Sequence, residues 1–544
     1  MSDNKHTTPT SGGDQYGRCL LLSLLAVMTV LTPAELKAQS MAGQTNGLPK
    51  LVVNILVDQL RDDYLEAFMP LYGNDGFKRL FKDGRVYTQA NYPMAHPDGA
   101  SAAATLATGS SPSAHGIVSR KWLNRETLQP VFCVDDANFA GTGDTNDKTS
   151  PKFLGVSTVG DELKVASEGK SIVYAIAPSR EIAVLSAGHA ADGAVWIDDQ
   201  TGNWCSTSYY GNLPAWAAVR NSYNGIAAQL NEKWQPTSEL VGNFSYYLSG
   251  GMKKPFSHAF KGDNRYVEFK TSGLVNQEIT AAAKACIDGT MLGTDAITDQ
   301  LSVAFYAGRF KHQQGESTLM ELQDTYVRLD HALADLIKAV EHKVGEKNAL
   351  FVLTSTGYTD EANIDLTKYR IPTGTFDMRK AAALLNLYLV AIYGQGNFVE
   401  ACLGTQIYLN HKLVEQKQLN LAEVLERTQD FLLQLEGVKD VYTSTRLLQG
   451  AWTPGISRIR AGYNQQCSGD VMIEVAAGWH YVNSDTRENQ LVRESYISYP
   501  IIFYGAGVKA EKTETPITVD RIAPTLSKAM RIRAPNACAL APLF

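Results

Sequence analysis

Long runs of almost unbroken apolar sequence constrain this chain more than anything else in it. Pro49 to Val57 (PKLVVNILV) is β-branched and apolar and ends at Asp58; Lys170 to Ala177 (KSIVYAIA), Ala349 to Thr354 (ALFVLT) and Pro500 to Tyr504 (PIIFY) repeat the pattern. A strand with one wet face alternates apolar and polar residues, so continuous apolar runs are strands covered on both faces. Between them lie Phe77 to Phe81 and Tyr326 to Glu341, with apolar residues at helical spacing, and Gly99 to Ala107, whose small residues suit a tightly packed helix. This alternation predicts an α/β fold with a mostly parallel central sheet flanked by helices. Reactive groups in such sheets gather at the carboxyl ends of the strands. Asp58, Thr354 and Thr356 fall at or near that edge.

Two stretches break the alternation. Trp122 to Gly293 is rich in Gly, Asn, Ser, Tyr and Trp and reads in part as a cap inserted into the core; Thr367 to Pro454 reads as a second, more helical insertion. The net charge of -6 lacks the basic excess of a nucleic-acid binder. At the N-terminus, Arg18 precedes the apolar run Cys19 to Leu31, and Leu36-Lys37-Ala38 follows. A basic flank, a short apolar run and a small residue before the cut predict a secretory signal peptide over residues 1–38. The run is too short for a membrane span, which takes about 20 apolar residues. Six cysteines remain after it (Cys133, Cys205, Cys286, Cys402, Cys467 and Cys538), with no C-x-x-C pair, which excludes a cysteine-rich zinc module. Export permits disulfides without fixing their pairing.

Eight segments in order carry a family resemblance. They are LVDQLRDDY (Leu56 to Tyr64), GFKRLFKDG (Gly76 to Gly84), ATGSSPSAHGI (Ala107 to Ile117), SAGHAADGAVWIDDQTGNW (Ser186 to Trp204), DTYVRLD (Asp324 to Asp330), GYNQQCSGD (Gly462 to Asp470), YPIIFYGAG (Tyr499 to Gly507) and RIAPTL (Arg521 to Leu526). From residue 48 to 544 the chain resembles the alkaline phosphatase superfamily, specifically its PafA-type secreted phosphomonoesterases and the related nucleotide pyrophosphatase/phosphodiesterases. The resemblance implies an alkaline phosphatase-like core with an inserted cap. It also implies two zinc ions about 4 Å apart that clamp an in-line displacement at phosphorus.

Carried over residue by residue, that pattern is mostly unfilled. Asp58 matches the first-strand metal ligand. The nucleophile position falls on Gly99, which has no side chain to attack with. The D-x-x-x-H ligand pair falls on Gly308 and His312, so only the histidine remains. The Asp-His pair after the central strand falls on Thr356 and Gly357, and the last ligand histidine on Ser498. Asp58 and His312, the vestigial ligands, belong to different metals in the family pattern, and one ligand each does not hold a zinc that takes three or four donors. At the family's phosphoryl contacts stand Arg180, from a Lys-x-Arg pair, and Arg120, in place of an Asn before Trp122. Arginine suits forked recognition of phosphate or sulfate. His115 and His189 lie in scaffold motifs and read as structural. Ser101 is two residues from the vacant slot, which on a helix turns it off the original face.

Two readings follow. The first is an exported pseudophosphatase of the periplasm or cell envelope, without a cofactor. It binds an envelope protein partner and, weakly through Arg120 and Arg180, a phosphate- or sulfate-like anion. The second is an active metal-dependent phosphate- or sulfate-ester hydrolase with a rearranged site, in which Asp58, His312, Asp98, Asp360 or Glu361 gather one zinc. Both require export. Terminal sequencing of the exported protein should find Gln39, or a residue within a few positions of it, at the mature N-terminus; an intact Met1 or Ser2 would contradict cleavage.

Overall fold

The computed structural model describes residues 47–243, 255–312, 319–359, 370, 372–450, 453–483, 488–492 and 497–544. The leader expected at residues 1–38 lies outside them. Residues 48–544 form one compact unit.

Its frame is four parallel strands: β1 (Leu51–Asp58), β2 (Val173–Ala177), β3 (Asp299–Tyr306) and β4 (Ala349–Ser355). β1 is the central member, hydrogen-bonded along its length to β3 on one side and β4 on the other, and β2 extends the sheet beyond β3. The full sheet has ten strands. Beyond β4 come Ile501–Gly505, Arg85–Tyr87 and Glu511–Thr513; beyond β2 come Gly193–Ile197, Trp204–Thr207 and Gly141–Thr142. Ile501–Gly505 runs antiparallel to β4, so the parallel centre gives way to mixed pairing at the flanks.

The continuous apolar runs are explained by two cores. Leu51, Val53, Ile55 and Val57 face one hydrophobic cluster, and Val52 and Leu56 face the other. Burying each such side chain contributes roughly 1.5–3 kcal/mol, and here neither face of the strand is left wet. The first face is covered by α3 (Leu274–Gly289) and α4 (Leu319–Val344), and the second by α1 (Gly99–Thr108) and α2 (Arg180–Ala187). In α1 every residue after Gly99 is buried, and its alanines let the helix lie close against α2.

The cap expected over Trp122 to Gly293 needs correcting. β2, α2 and the strands Gly141–Thr142, Gly193–Ile197 and Trp204–Thr207 lie inside that stretch and belong to the central sheet and its covering layer. The polar turns between them gave the stretch its insert-like composition. The second insertion builds a separate four-stranded sheet from Val399–Leu403, Gln406–Leu409, Val438–Thr443 and Val471–Val475, with its own core around Phe376, Leu385, Phe398 and Val424. It therefore runs past Pro454. Cys133, Cys205, Cys286, Cys402, Cys467 and Cys538 form no disulfide, and the first three are buried. Among the described residues no helix is long and apolar enough to cross a membrane.

The sequence motifs turn out to be joints between layers. Asp330, fully buried on α4, accepts hydrogen bonds from the backbone of Gly73 (2.8 Å) and Phe77 (2.7 Å), and so caps the helix Phe77–Asp83 from a distant element. A side chain on Gly76 would collide with that carboxylate. Asp324, one helical step and a half away, receives Trp234 Nε1 (2.7 Å), Arg328 Nε (2.6 Å) and the backbone and hydroxyl of Thr237. Asp330→Ala would leave the buried Phe77 N–H without its acceptor, at about 1–3 kcal/mol, and the more exposed Gly73 N–H without its own at a smaller cost. Urea denaturation should show that variant destabilised by about 3 kcal/mol, with Asp330→Asn, which keeps one acceptor oxygen, losing less. An Ala variant within about 0.5 kcal/mol of wild type would contradict this role.

Candidate active site at the carboxyl edge

Asp58 closes β1, and the neighbouring strand ends converge on it. Its carbonyl accepts from Ala307 N (2.8 Å), just past β3, and Thr356 N, just past β4, donates to Val57 O (3.1 Å). The Thr356 hydroxyl donates to Asp58 Oδ1 at 2.9 Å and accepts from Gln59 N at 3.1 Å. Gln59 takes a left-handed conformation, φ 64°, unusual for a buried non-glycine residue and typical of functional edges. Asp58 is partly open to solvent, while Thr356 is closed off. Arg61, three residues on, lies against Asp63 (Nε–Oδ1 2.9 Å).

Gly99 opens α1 directly beside this carboxylate. A Cβ there would stand 4.0 Å from Asp58 Oδ1 and 3.3 Å from Ile182 Cδ1. Asp98 caps the helix: its carboxylate accepts from Ser101 N and Ser101 Oγ, both at 2.8 Å, and Ser101 Oγ accepts from Asp98 N. Ser101 is therefore a buried capping residue.

Around the other positions to which the family pattern points, the space is filled. A Cβ on Gly357 would come within 2.6 Å of the Tyr92 ring, whose hydroxyl donates to Ser355 O at 2.8 Å. A Cβ on Gly308 would come within 2.6 Å of the Tyr306 hydroxyl and 2.7 Å of the Gln59 side chain; that hydroxyl donates to Arg309 O at 2.7 Å. Ser498 Oγ donates to Thr88 O. His312 is exposed, its ring centroid 6.2 Å from that of Tyr306. A zinc pair needs nitrogen and carboxylate donors at these places. Asp58 stays, with a threonine hydroxyl bonded to it, and two tyrosines and a glutamine fill the space around Gly357 and Gly308. Among the described residues no group of three or more His, Cys, Asp or Glu is arranged to hold a metal. Asp360 and Glu361 lie outside the described residues. The donor set of the described residues does not fit the family's two zinc ions.

The two arginines do converge, around Phe132. Each guanidinium carbon lies 5.6 Å from that ring's centroid. Arg180 is engaged by Asp135 (3.0 Å), Asp147 (3.4 Å) and Thr149 (3.3 Å) and is 13% exposed. Its charge is already spent within the fold, which corrects the expectation that it forms an open anion clamp. Arg120 differs. Its backbone N–H donates to Asp98 (2.6 Å) and its Nε to Glu181 (2.6 Å), and no hydrogen bond within the protein reaches its two Nη atoms among the described residues. Its side chain is 61% exposed. Burial pushes the Glu181 carboxyl up, but Arg120 and Arg180 outweigh it and hold it below its ordinary range. Burial pushes the Asp98 carboxyl up, and the Glu181 charge adds to that.

The two motif histidines are structural in placement. His115 is fully buried between Thr105 Oγ1 and Ile117 N, and burial pushes its pKa down to about 3. His189 lies between Asp161 (3.0 Å) and Leu154 O (3.0 Å). Sequence reasoning missed Tyr92, Tyr306, Phe132 and Glu181. Only Glu181 had a local signal, its position next to Arg180; the Tyr92–Gly357 contact joins residues from opposite ends of the chain.

Comparison with known proteins places this geometry. The family profile described as "Type I phosphodiesterase / nucleotide pyrophosphatase" matches residues 52–497. The chain is 30% identical over 524 residues to alkaline phosphatase PafA of Elizabethkingia meningoseptica, covering 92% of this chain and 95% of that one. It is 30% identical over 515 residues to alkaline phosphatase PhoV of Synechococcus elongatus, covering 91% and 92%. The crystal structure of PafA superposes with a TM-score of 0.78 at 28% identity, over 91% of this chain and 98% of that one. These likenesses overturn the reading of a non-catalytic binding or assembly component, since they are to proteins named as phosphatases and run nearly end to end. They favour the hydrolase reading. Matched along most of its length by that profile and by these relatives, the chain belongs to the type I phosphodiesterase / nucleotide pyrophosphatase family.

Proposed function

We propose that this protein hydrolyses phosphate or sulfate esters outside the cytoplasm, with a rearranged site on the carboxyl edge that its relatives' fold supplies. The observation that carries the proposal is the open fork of Arg120, a residue whose backbone N–H is held by Asp98, next to Gly99, which in turn lies beside the partly exposed Asp58 carboxylate. In this reading the Nη atoms of Arg120 take the charged oxygens of the ester. Asp58 accepts a proton from the attacking water, while the bond from phosphorus or sulfur to the leaving oxygen breaks and that oxygen takes a proton from solvent. Thr356 keeps Asp58 oriented by the 2.9 Å hydrogen bond. Glu181 and the Phe132 ring fix the direction of Arg120. Because the zinc donor set does not fit, no step runs through a metal.

The test is turnover of an aryl phosphate, an aryl phosphodiester and an aryl sulfate by the purified chain. Wild type should release aryl alcohol from at least one. Asp58→Asn should lower kcat by about a hundredfold or more, the usual contribution of a positioned general base. Arg120→Ala should act mainly on KM. Absence of turnover on all three esters would refute the proposal.

A further inference from the structure

The helix Met378–Tyr393 of the second insertion, α5, is apolar on two sides. Met378, Ala381, Leu385 and Leu389 bury one side in the insertion's own core. From Ala381 to Tyr393 the helix has no charged residue, and its one amide side chain, Asn386, accepts from Phe398 N (2.8 Å) and Val399 N (3.2 Å). The other side carries Ala383, Leu384, Leu387, Ala391 and Ile392 at helical spacing. It stands open: Leu384 is 48% exposed, Leu387 65% and Ile392 38%. A surface helix keeps polar residues on its outer face, so an apolar outer stripe marks a face that something covers.

The charges at the two ends of α5 say what that is. Arg379 and Lys380 open the helix and are exposed, and the Asp377 carboxylate beside them is taken up by their backbone N–H groups (3.0 and 3.2 Å). At the other end Lys417 Nζ donates to Tyr393 O (3.2 Å). Glu423, which accepts there from Tyr393 Oη (3.4 Å), is paired with Arg427 (3.0 Å). Cations therefore flank the stripe at both ends. That arrangement disfavours self-pairing: antiparallel copies would set Lys380 against Lys417, and parallel copies would set Lys380 against Lys380. Sixteen residues cover about 24 Å, short of the roughly 30 Å hydrocarbon core, so the helix fits on a bilayer and not through it. An apolar stripe with basic ends suits the boundary between acyl chains and anionic headgroups. We propose that α5 docks the protein on an anionic lipid surface, with Leu384, Leu387 and Ile392 at the acyl boundary and Arg379, Lys380 and Lys417 among the headgroup phosphates.

The experiment is co-sedimentation of the full chain with vesicles of phosphatidylethanolamine and phosphatidylglycerol, and with vesicles of phosphatidylcholine alone. The chain should bind the anionic vesicles at least about tenfold more tightly, the scale of two or three basic residues near a charged surface. Leu384→Asp/Leu387→Asp should abolish binding to both; the two positions are open to solvent, so the fold is kept. Lys380→Glu, which leaves the apolar stripe intact, should weaken binding to the anionic vesicles alone, by about fivefold or more. No sedimentation of wild type with the anionic vesicles, or sedimentation unchanged in the double Asp variant, would overturn the proposal. So would a chain that stays off vesicles and forms dimers that the double Asp variant loses, which would assign the face to a second copy.

Discussion

The rest of the architecture depends on the placement of β1. It is buried on both faces and paired on both edges, so its end is fixed in three directions at once. Shifting it by one residue would exchange its two apolar faces and break registers with β3 and β4 together. Asp58 inherits that rigidity. The ends of β3 and β4 arrive beside it through Ala307 and Thr356, and α1 begins next to it because its alanines pack on the adjoining face. A reactive edge at this place is a consequence of the sheet, whatever groups it carries.

The positions to which the family pattern points are closely packed. An empty ligand position in a packed protein is a cavity, and cavities cost stability in proportion to their volume. Here the space is occupied: Tyr92 lies where a side chain on Gly357 would project, Tyr306 and Gln59 fill the space at Gly308, and Ile182 lies over Gly99. Each replacement is tied in by its own hydrogen bond or packing, as with Tyr92 to Ser355 O and Tyr306 to Arg309 O. The Thr356 hydroxyl satisfies part of the Asp58 carboxylate. Restoring one lost ligand at a time would therefore meet a neighbour already in place. Among the described residues Arg120 presents an open guanidinium fork at this edge.

Much of this was legible in the sequence, for physical reasons. Strands buried on both faces announce themselves as apolar runs, so β1, β2 and β4 and the parallel sheet could be read directly. Gly99 and Thr356, assigned by counting from motif flanks, both stand beside Asp58. The cap boundary could not, because Gly193–Ile197 and Trp204–Thr207 are short strands joined by polar turns, and composition weighs the turns more heavily. Nor could the fate of the arginines be read. Arg120 and Arg180 look alike in sequence, and only the fold brings Asp135 and Asp147 onto one while leaving the fork of the other open. Tyr92 and Tyr306 escaped notice because filling a vacated ligand site is a matter of shape across distant segments, which leaves no local pattern.

Metal content separates an edge that works without the zinc pair from one that keeps it. The chain would be purified from zinc-supplemented culture without chelators and its bound metal measured by elemental analysis. Zinc well below one equivalent per chain is the predicted result. About two zinc ions per chain, released by Asp58→Asn, would contradict it and restore the family's metal chemistry to this site.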